Sequence, residues 1–179
     1  MWAAEWGGKI FFSHRSSHSR GVCVLLNPNS TFHLRCVDTD TEGRFLIVKL
    51  TIDDECFFVT NIYAPTDYRD QDSFIRRLSK QLISNTDTSK LVISGDWNTT
   101  LNPIDKRGGH PWKATNYRNS LINLMEELNL IDIYRQIRRT TKSFTYESKT
   151  LNVKSRIDFF SLFLVLCLAA SRVQRFEHQ

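Results

Sequence analysis

Four short segments concentrate groups that could do chemistry: Asn61-Ile62-Tyr63-Ala64-Pro65, Gly95-Asp96-Trp97-Asn98, Phe144-Thr145-Tyr146 and Ser155-Arg156-Ile157-Asp158. Among them are two carboxylates (Asp96 and Asp158), an amide (Asn98), a phenol (Tyr63) and a hydroxyl (Thr145). A carboxylate stays ionised at neutral pH and can take a proton, while the amide, phenol and hydroxyl can donate hydrogen bonds to an anion. Each segment falls at the end of an expected strand, and strand ends are where sites are built on a rigid scaffold. Singly, each has a plainer reading. Tyr63 suits a half-buried strand aromatic, Asp96 a turn, Thr145 a strand surface, and Asp158 a pairing with a nearby arginine. The specificity lies in the set and its order.

The elements that must position these groups follow from periodicity. Lys9–Phe12, Val22–Leu26, Phe32–Asp38, Phe45–Ile52 and Cys56–Tyr63 are short, β-branched and aromatic, with turn residues between them, which predicts an antiparallel meander. From Asp70 the period changes: Phe74, Leu78 and Leu82 recur at four-residue spacing, predicting an amphipathic helix that ends near Asn85. A buried-type strand, Leu91–Ser94, runs straight into Gly95-Asp96-Trp97-Asn98. Thr99–Thr115 holds Pro103, Gly108, Gly109 and Pro111 without periodicity and reads as a long basic loop. A second helix begins near Asn116 with Leu121, Leu124, Met125 and Leu128 on one stripe, and Asn129 is a plausible left-handed stop. Ser143–Tyr146 and Arg156–Phe160 are two further strands. The expected fold class is α/β: a two-sheet β-sandwich flanked by helices.

A chain of 179 residues, 41% hydrophobic and 24% charged, buries one sizeable core, so one domain is expected. Cys23, Cys36, Cys56 and Cys167 show no C-x-x-C spacing and read as reduced core residues. Met1–Gly8 has no secretory pattern, and the apolar stretch Phe159–Ala170 is shorter than the roughly twenty residues a membrane helix needs, so no membrane association is expected. The formal charge of +5 is consistent with a polyanionic partner without requiring one.

In this order and spacing the four polar segments resemble the endonuclease/exonuclease/phosphatase superfamily, and most of all the apurinic-type endonuclease domain of LINE-type retrotransposons. The resemblance runs to about Phe160, with Trp6-Gly7-Gly8 and Phe11–Val22 similar to the family's second and third strands; residues 161–179 form a divergent apolar, then polar, tail. It implies a DNase I-like sandwich and Mg2+-dependent hydrolysis of a phosphodiester in DNA. Such hydrolysis needs an oriented water, neutralised phosphate charge and a stabilised leaving oxygen. By that resemblance Asp96 would deprotonate the water, Asn98 would donate its amide to the phosphate, and Tyr63 and Thr145 would supply hydroxyls. Asp158 would orient a histidine near the C-terminus and raise its pKa.

The family's strand-one asparagine and metal-binding glutamate have no counterpart in Met1–Ala4, and Glu5 sits at what looks like a later position. No metal ligand is therefore assigned, and Mg2+ binding should be weak. After Phe160 the family's Ser-Asp-His ending is absent, and His178 in Phe176-Glu177-His178-Gln179 reads as a terminal residue. The sandwich is thus expected to be incomplete at both ends and the enzyme inactive. Trp97 stands where the family has phenylalanine, and its ring can still pack in the core. Basic residues Lys106, Arg107 and Lys113 in the loop, and Arg138, Arg139 and Lys142 in a later run with Arg135, favour nucleic acid over a small phosphate ester. Three alternatives stay open: a non-catalytic nucleic-acid-binding module, a phosphatase or RNA-trimming member of the superfamily, and a solvated basic face without a partner. An intracellular location, nuclear if the protein is functional, goes with the DNA reading.

Overall fold

The computed structural model describes residues 5–16 and 19–163. The first two strands form a hairpin, β1 (Ile10–Ser16) against β2 (Ser19–Leu25), paired antiparallel in a sheet of its own. A meander follows: β3 (His33–Thr39), β4 (Phe45–Ile52) and β5 (Glu55–Tyr63). Helix α1 (Tyr68–Asn85) then crosses over so that β6 (Leu91–Asp96) lies parallel to β5, the kind of connection a parallel pair requires. Next come β7 (Lys106–Gly108), α2 (Asn116–Glu127), β8 (Leu130–Asp132), α3 (Ile133–Ile137), β9 (Tyr146–Ser148), β10 (Val153–Ser155) and β11 (Asp158–Phe163). The main sheet has six strands in the order β3-β4-β5-β6-β11-β8, and β7, β10 and β9 form a small third sheet.

Strand β4 shows why this sheet is central. Its alternate residues Phe45 and Ile47 face the helices, where they join Phe74, Leu78 and Leu82 of α1 and Leu121 and Leu124 of α2. Leu46 and Val48 face the other way, onto Val22, Phe11 and Val24 of the hairpin. A strand covered on both faces has no polar side to show, hence the unbroken Phe-Leu-Ile-Val run. Each such side chain contributes about 1.5–3 kcal/mol by leaving water. Helix α1 starts where the Asp67 carboxylate accepts from the Arg69 N–H (3.0 Å), and α2 starts where Thr115 Oγ1 accepts from the Arg118 N–H (3.1 Å). Asn129, at φ 51°, supplies the left-handed stop its type predicts.

Several expectations need correction. The five early strands are not one meander, because the first two form a separate hairpin that covers the sheet the other three begin. The Thr99–Thr115 stretch is not featureless: Pro103–Asp105 is a 3-10 turn and β7 follows it. The strand placed at Ser143–Tyr146 begins at Tyr146, and β8, α3 and β10, each five residues or fewer, carried no periodic signal. Strand β11 continues through the boundary expected at Phe160 to Phe163. Cys23, Cys36 and Cys56 are free thiols as expected, but none is fully buried and Cys36 is exposed. Cys167, His178, Met1–Ala4 and most of the apolar tail lie outside the described residues. Among the described residues no helix is long and apolar enough to cross a membrane.

Candidate active site at the strand ends

Strands β5, β6 and β11 end side by side. Tyr63 is the register partner of Asp96 across the parallel pair, and Asp158 is its partner across the antiparallel one. Paired positions put their side chains on the same face, so phenol and both carboxylates stand abreast at one end of the sheet. Gly95 permits this approach: at φ 135°, a Cβ there would lie 2.0 Å from the Ile62 carbonyl oxygen. Just past the strand ends, Ala64 N–H donates to the Asp96 carbonyl (2.8 Å) and Trp97 N–H to the Ile157 carbonyl (2.9 Å).

The turn after Asp96 holds the amide. Asn98 adopts φ 50°, its N–H donates to Asp96 Oδ1 (2.7 Å), and its Nδ2 donates to the Ala64 carbonyl (2.7 Å). One amide hydrogen is thus committed to the scaffold and the other is left over. Trp97 anchors the turn from below. It is 1% exposed, stacks on Phe159 (5.5 Å between centroids), and its carbonyl accepts from the Tyr117 hydroxyl (2.9 Å). The ring does pack in the core, though its buried Nε1 has no protein partner. Thr145 reaches the site by a different route: its Oγ1 accepts from the N–H groups of Ile157 and Asp158, each at 3.1 Å. Its hydroxyl hydrogen is still able to donate.

All the predicted polar site residues are therefore brought together. Tyr63, Asp96 and Asn98 are half-buried, while Asp158 and Thr145 are exposed. Burial raises the pKa of Asp96 above its ordinary value and the neighbouring Asp158 charge adds to this, against the lowering effect of the Asn98 N–H. The result is a more basic carboxylate than usual, suited to taking a proton from water. Burial, reinforced by the charge of Asp96, keeps the Tyr117 phenol protonated far above the usual range.

Sequence reasoning missed two features. Arg44, nearly buried, places its guanidinium 5.1 Å from the centroid of the Tyr63 ring and donates to the Tyr63 carbonyl (3.3 Å). Behind the site lies a buried ion network. Arg156 Nε donates to Asp105 Oδ1 (2.7 Å) and its other nitrogens reach Asp105 and Asp132, while Arg135 Nε also donates to Asp105 Oδ1 (2.9 Å). Asp105 is 0% exposed, Arg156 3% and Arg135 10% at their side chains. The Arg156 N–H donates to the Asp105 carbonyl (2.9 Å), so the network ties the loop after Asn98 to the start of β11. Two readings are corrected here. Arg135 belongs to this network and not to a basic face, and Arg156 pairs with Asp105 and Asp132, not with Asp158.

The other basic residues are placed as follows. Lys106 and Arg107 lie on β7, in register with Ser155 and Lys154 of β10, immediately before Arg156 and Asp158. Arg107, Lys113, Arg138, Arg139 and Lys142 are exposed. Arg135 also donates to the carbonyls of Arg138 (2.9 Å) and Thr141 (2.8 Å), fixing the segment that carries the later run.

Among the described residues no group of three His, Cys, Asp or Glu side chains converges. Asp96 and Asp158 are two carboxylates where Mg2+ prefers near-octahedral oxygen coordination. The described residues do not make up a full ligand set for that ion.

No family model matches the chain. It is 28% identical over 145 residues to the "Transposon TX1 uncharacterized 149 kDa protein" of Xenopus laevis, an alignment covering 81% of this chain and 11% of that protein. Among solved structures it is similar to the endonuclease domain of TRAS1, a telomere-specific non-LTR retrotransposon, with a TM-score of 0.63 at 12% identity. It is also similar to the AP endonuclease LMAP from Leishmania major, with a TM-score of 0.65 at 18% identity. Each alignment covers 88% of this chain, and 66% and 63% of the respective solved chains. The fold is the DNase I-like α/β fold of the endonuclease/exonuclease/phosphatase proteins, as the polar segments implied.

Proposed function

We propose that this DNase I-like chain is a DNA-binding domain of the LINE-type retrotransposon endonuclease kind, with the water-activating part of a phosphodiesterase site, and that it hydrolyses DNA no faster than background. The observation that carries the reading is the single level formed by Tyr63, Asp96 and Asp158 across three adjacent strands, with Asn98 and Thr145 bonded to that level. In this site Asp96 would accept a proton from water as its oxygen attacks phosphorus, the bond from phosphorus to the leaving sugar oxygen breaks, and that oxygen takes a proton from solvent. Tyr63, Thr145 and the spare Asn98 hydrogen would donate to the phosphate oxygens, where charge builds in the transition state.

DNA is favoured over a small ester because Lys106 and Arg107 occupy the strand hydrogen-bonded to β10, next to Asp158. Exposed Lys113, Arg138, Arg139 and Lys142 extend the positive surface. Weak hydrolysis follows from the donor set: among the described residues, two carboxylates stand without a third metal ligand and no histidine lies beside Asp158. Each missing oriented group costs roughly two to four orders of magnitude in rate. The test is nicking of supercoiled plasmid in Mg2+ alongside filter retention of DNA across a salt series. No nicking above background is expected, with retention that weakens steeply as salt rises. Robust nicking abolished by Asp96→Ala would refute the inactivity, and salt-independent retention would refute the phosphate contacts.

A further inference from the structure

A cavity of about 360 Å3 opens beside Asn98, between the starts of α1 and α2. Its lining includes Tyr68, Gln71, Asp72, Asn98, Thr99 and Asn116. Two properties limit what it can hold. Apart from Asp72 its lining is uncharged, and no lysine or arginine among the described residues lines it. A phosphate placed there would be repelled by the Asp72 carboxylate and would meet no cation. A neutral ligand rich in hydrogen-bonding edges would find amides and hydroxyls on the walls. The second property is Tyr68, the first residue of α1, which is 80% exposed. No other large apolar side chain of the described residues is so open to solvent, and its ring stands at the cavity mouth without serving the core.

We propose that this cavity receives a nucleoside adjoining the phosphate that Tyr63, Thr145 and Asn98 would hold, with the base stacked on Tyr68. The inference rests on the DNA reading above and adds to it the place where base and sugar go. Asn98 links the two sites, because it both hydrogen-bonds Asp96 and lines the cavity. An aromatic platform accepts any base, since every base has a π face, so the contact provides affinity and register without sequence readout. Asp72, as an acceptor, adds a preference for bases that present an exocyclic amine.

The experiment measures binding of the full chain to two labelled single strands of equal length by fluorescence anisotropy: one of mixed bases, the other abasic throughout. Backbone charge is the same in both. For Tyr68→Ala, affinity for the base-containing strand is expected to fall about tenfold, with affinity for the abasic strand unchanged. Tyr68→Phe, which keeps the ring, should bind both strands as the unmodified protein does. Because Tyr68 is exposed, all three proteins should share one thermal midpoint. Equal loss on both strands, or no loss on either, overturns the stacking proposal and leaves the DNA reading standing. Failure of the unmodified protein to bind either strand overturns the DNA reading, and the subsite falls with it.

Discussion

The two pairs of aspartates in this molecule are treated in opposite ways. Asp105 and Asp132 sit behind the site, enclosed and matched by Arg135 and Arg156. Asp96 and Asp158 face each other at the strand ends, where the Asp96 carboxylate accepts from the Asn98 N–H and meets the other carboxylate's charge. Burial alone would raise the pKa of Asp105, but Arg156 and Arg135 outweigh it and hold the carboxyl below its ordinary value. For Asp96 nothing outweighs burial, and the value goes up. The same side chain is thus a fully neutralised strut in one place and a partly desolvated base in the other. Neutralised charges hold the loop after Asn98 against the start of β11. The unneutralised pair keeps capacity for a proton or a cation, which is a mark of sites and not of scaffolding.

The sharpest way to break this contrast is to remove one strut. Asp105→Ala leaves two guanidinium groups buried without their main acceptor, and losing one partner of a buried pair costs about 3–5 kcal/mol. Urea unfolding should show a large fall in midpoint; a loss under about 1 kcal/mol would mean that the network is solvated and the contrast false. Next in size is Gly95→Ala. The added Cβ meets the Ile62 carbonyl at 2.0 Å, backbone that cannot swing aside, so β5 and β6 must part at the level of Tyr63 and Asp96. A loss of about 1–3 kcal/mol is expected, as for overpacking elsewhere.

The two regions also differ in how far the sequence revealed them. Asp96, Asn98, Tyr63, Thr145 and Asp158 were legible because they sit on short segments at the ends of strongly patterned strands, in an order shared with a known superfamily. Asp105 and Arg156 were not. Asp105 looks like an ordinary charged residue in a loop and Arg156 like the first residue of an expected strand, and their 51-residue separation is closed only by the path of α2, β8 and α3. Arg135 was misread for the same reason, since a buried and an exposed arginine are the same letter. Every strand of the main sheet except β8, and both long helices, were visible in the sequence pattern. Elements of three to five residues were not, because they are shorter than the windows in which period shows. Splitting β1 and β2 from the meander is a matter of which face they cover, and alternation along one strand carries no such information.

Acidification should pull the two regions apart. Asp105 has a folded value below the ordinary 3.8, so its contribution is fully present above that pH and is lost as the pH falls below it, through the folded value. Asp96 has a folded value above 3.8, so ionising it in the fold costs stability at neutral pH, and that cost is relieved as the pH falls through the raised value towards 3.8. Asp96→Asn should therefore be neutral or slightly stabilising at neutral pH, with the amide oxygen still accepting from the Asn98 N–H. Its advantage over the unmodified chain should shrink as pH approaches 3.8, in urea melts taken across the range. An advantage that grows on acidification would show the sign of the Asp96 shift to be wrong.

The smallest expected effect tests whether the two site carboxylates sense each other. The Asp158 charge helps to raise the Asp96 value, but burial does more, so that charge is the lesser contribution. Because Asp158 is exposed, water screens that charge, and Asp158→Asn should lower the Asp96 value only part of the way back to 3.8. The side-chain carboxyl carbon of Asp96, followed by NMR through a pH titration, reports this directly. The shift should shrink further as salt is added, since screening acts on the Asp158 charge and not on burial. If Asp158→Asn returned Asp96 all the way to its ordinary value, charge and not desolvation would be the main cause of its basicity. If it left Asp96 unmoved at low salt, the carboxylates would be electrostatically independent despite facing each other in register, and the site would be two separate groups sharing a sheet edge.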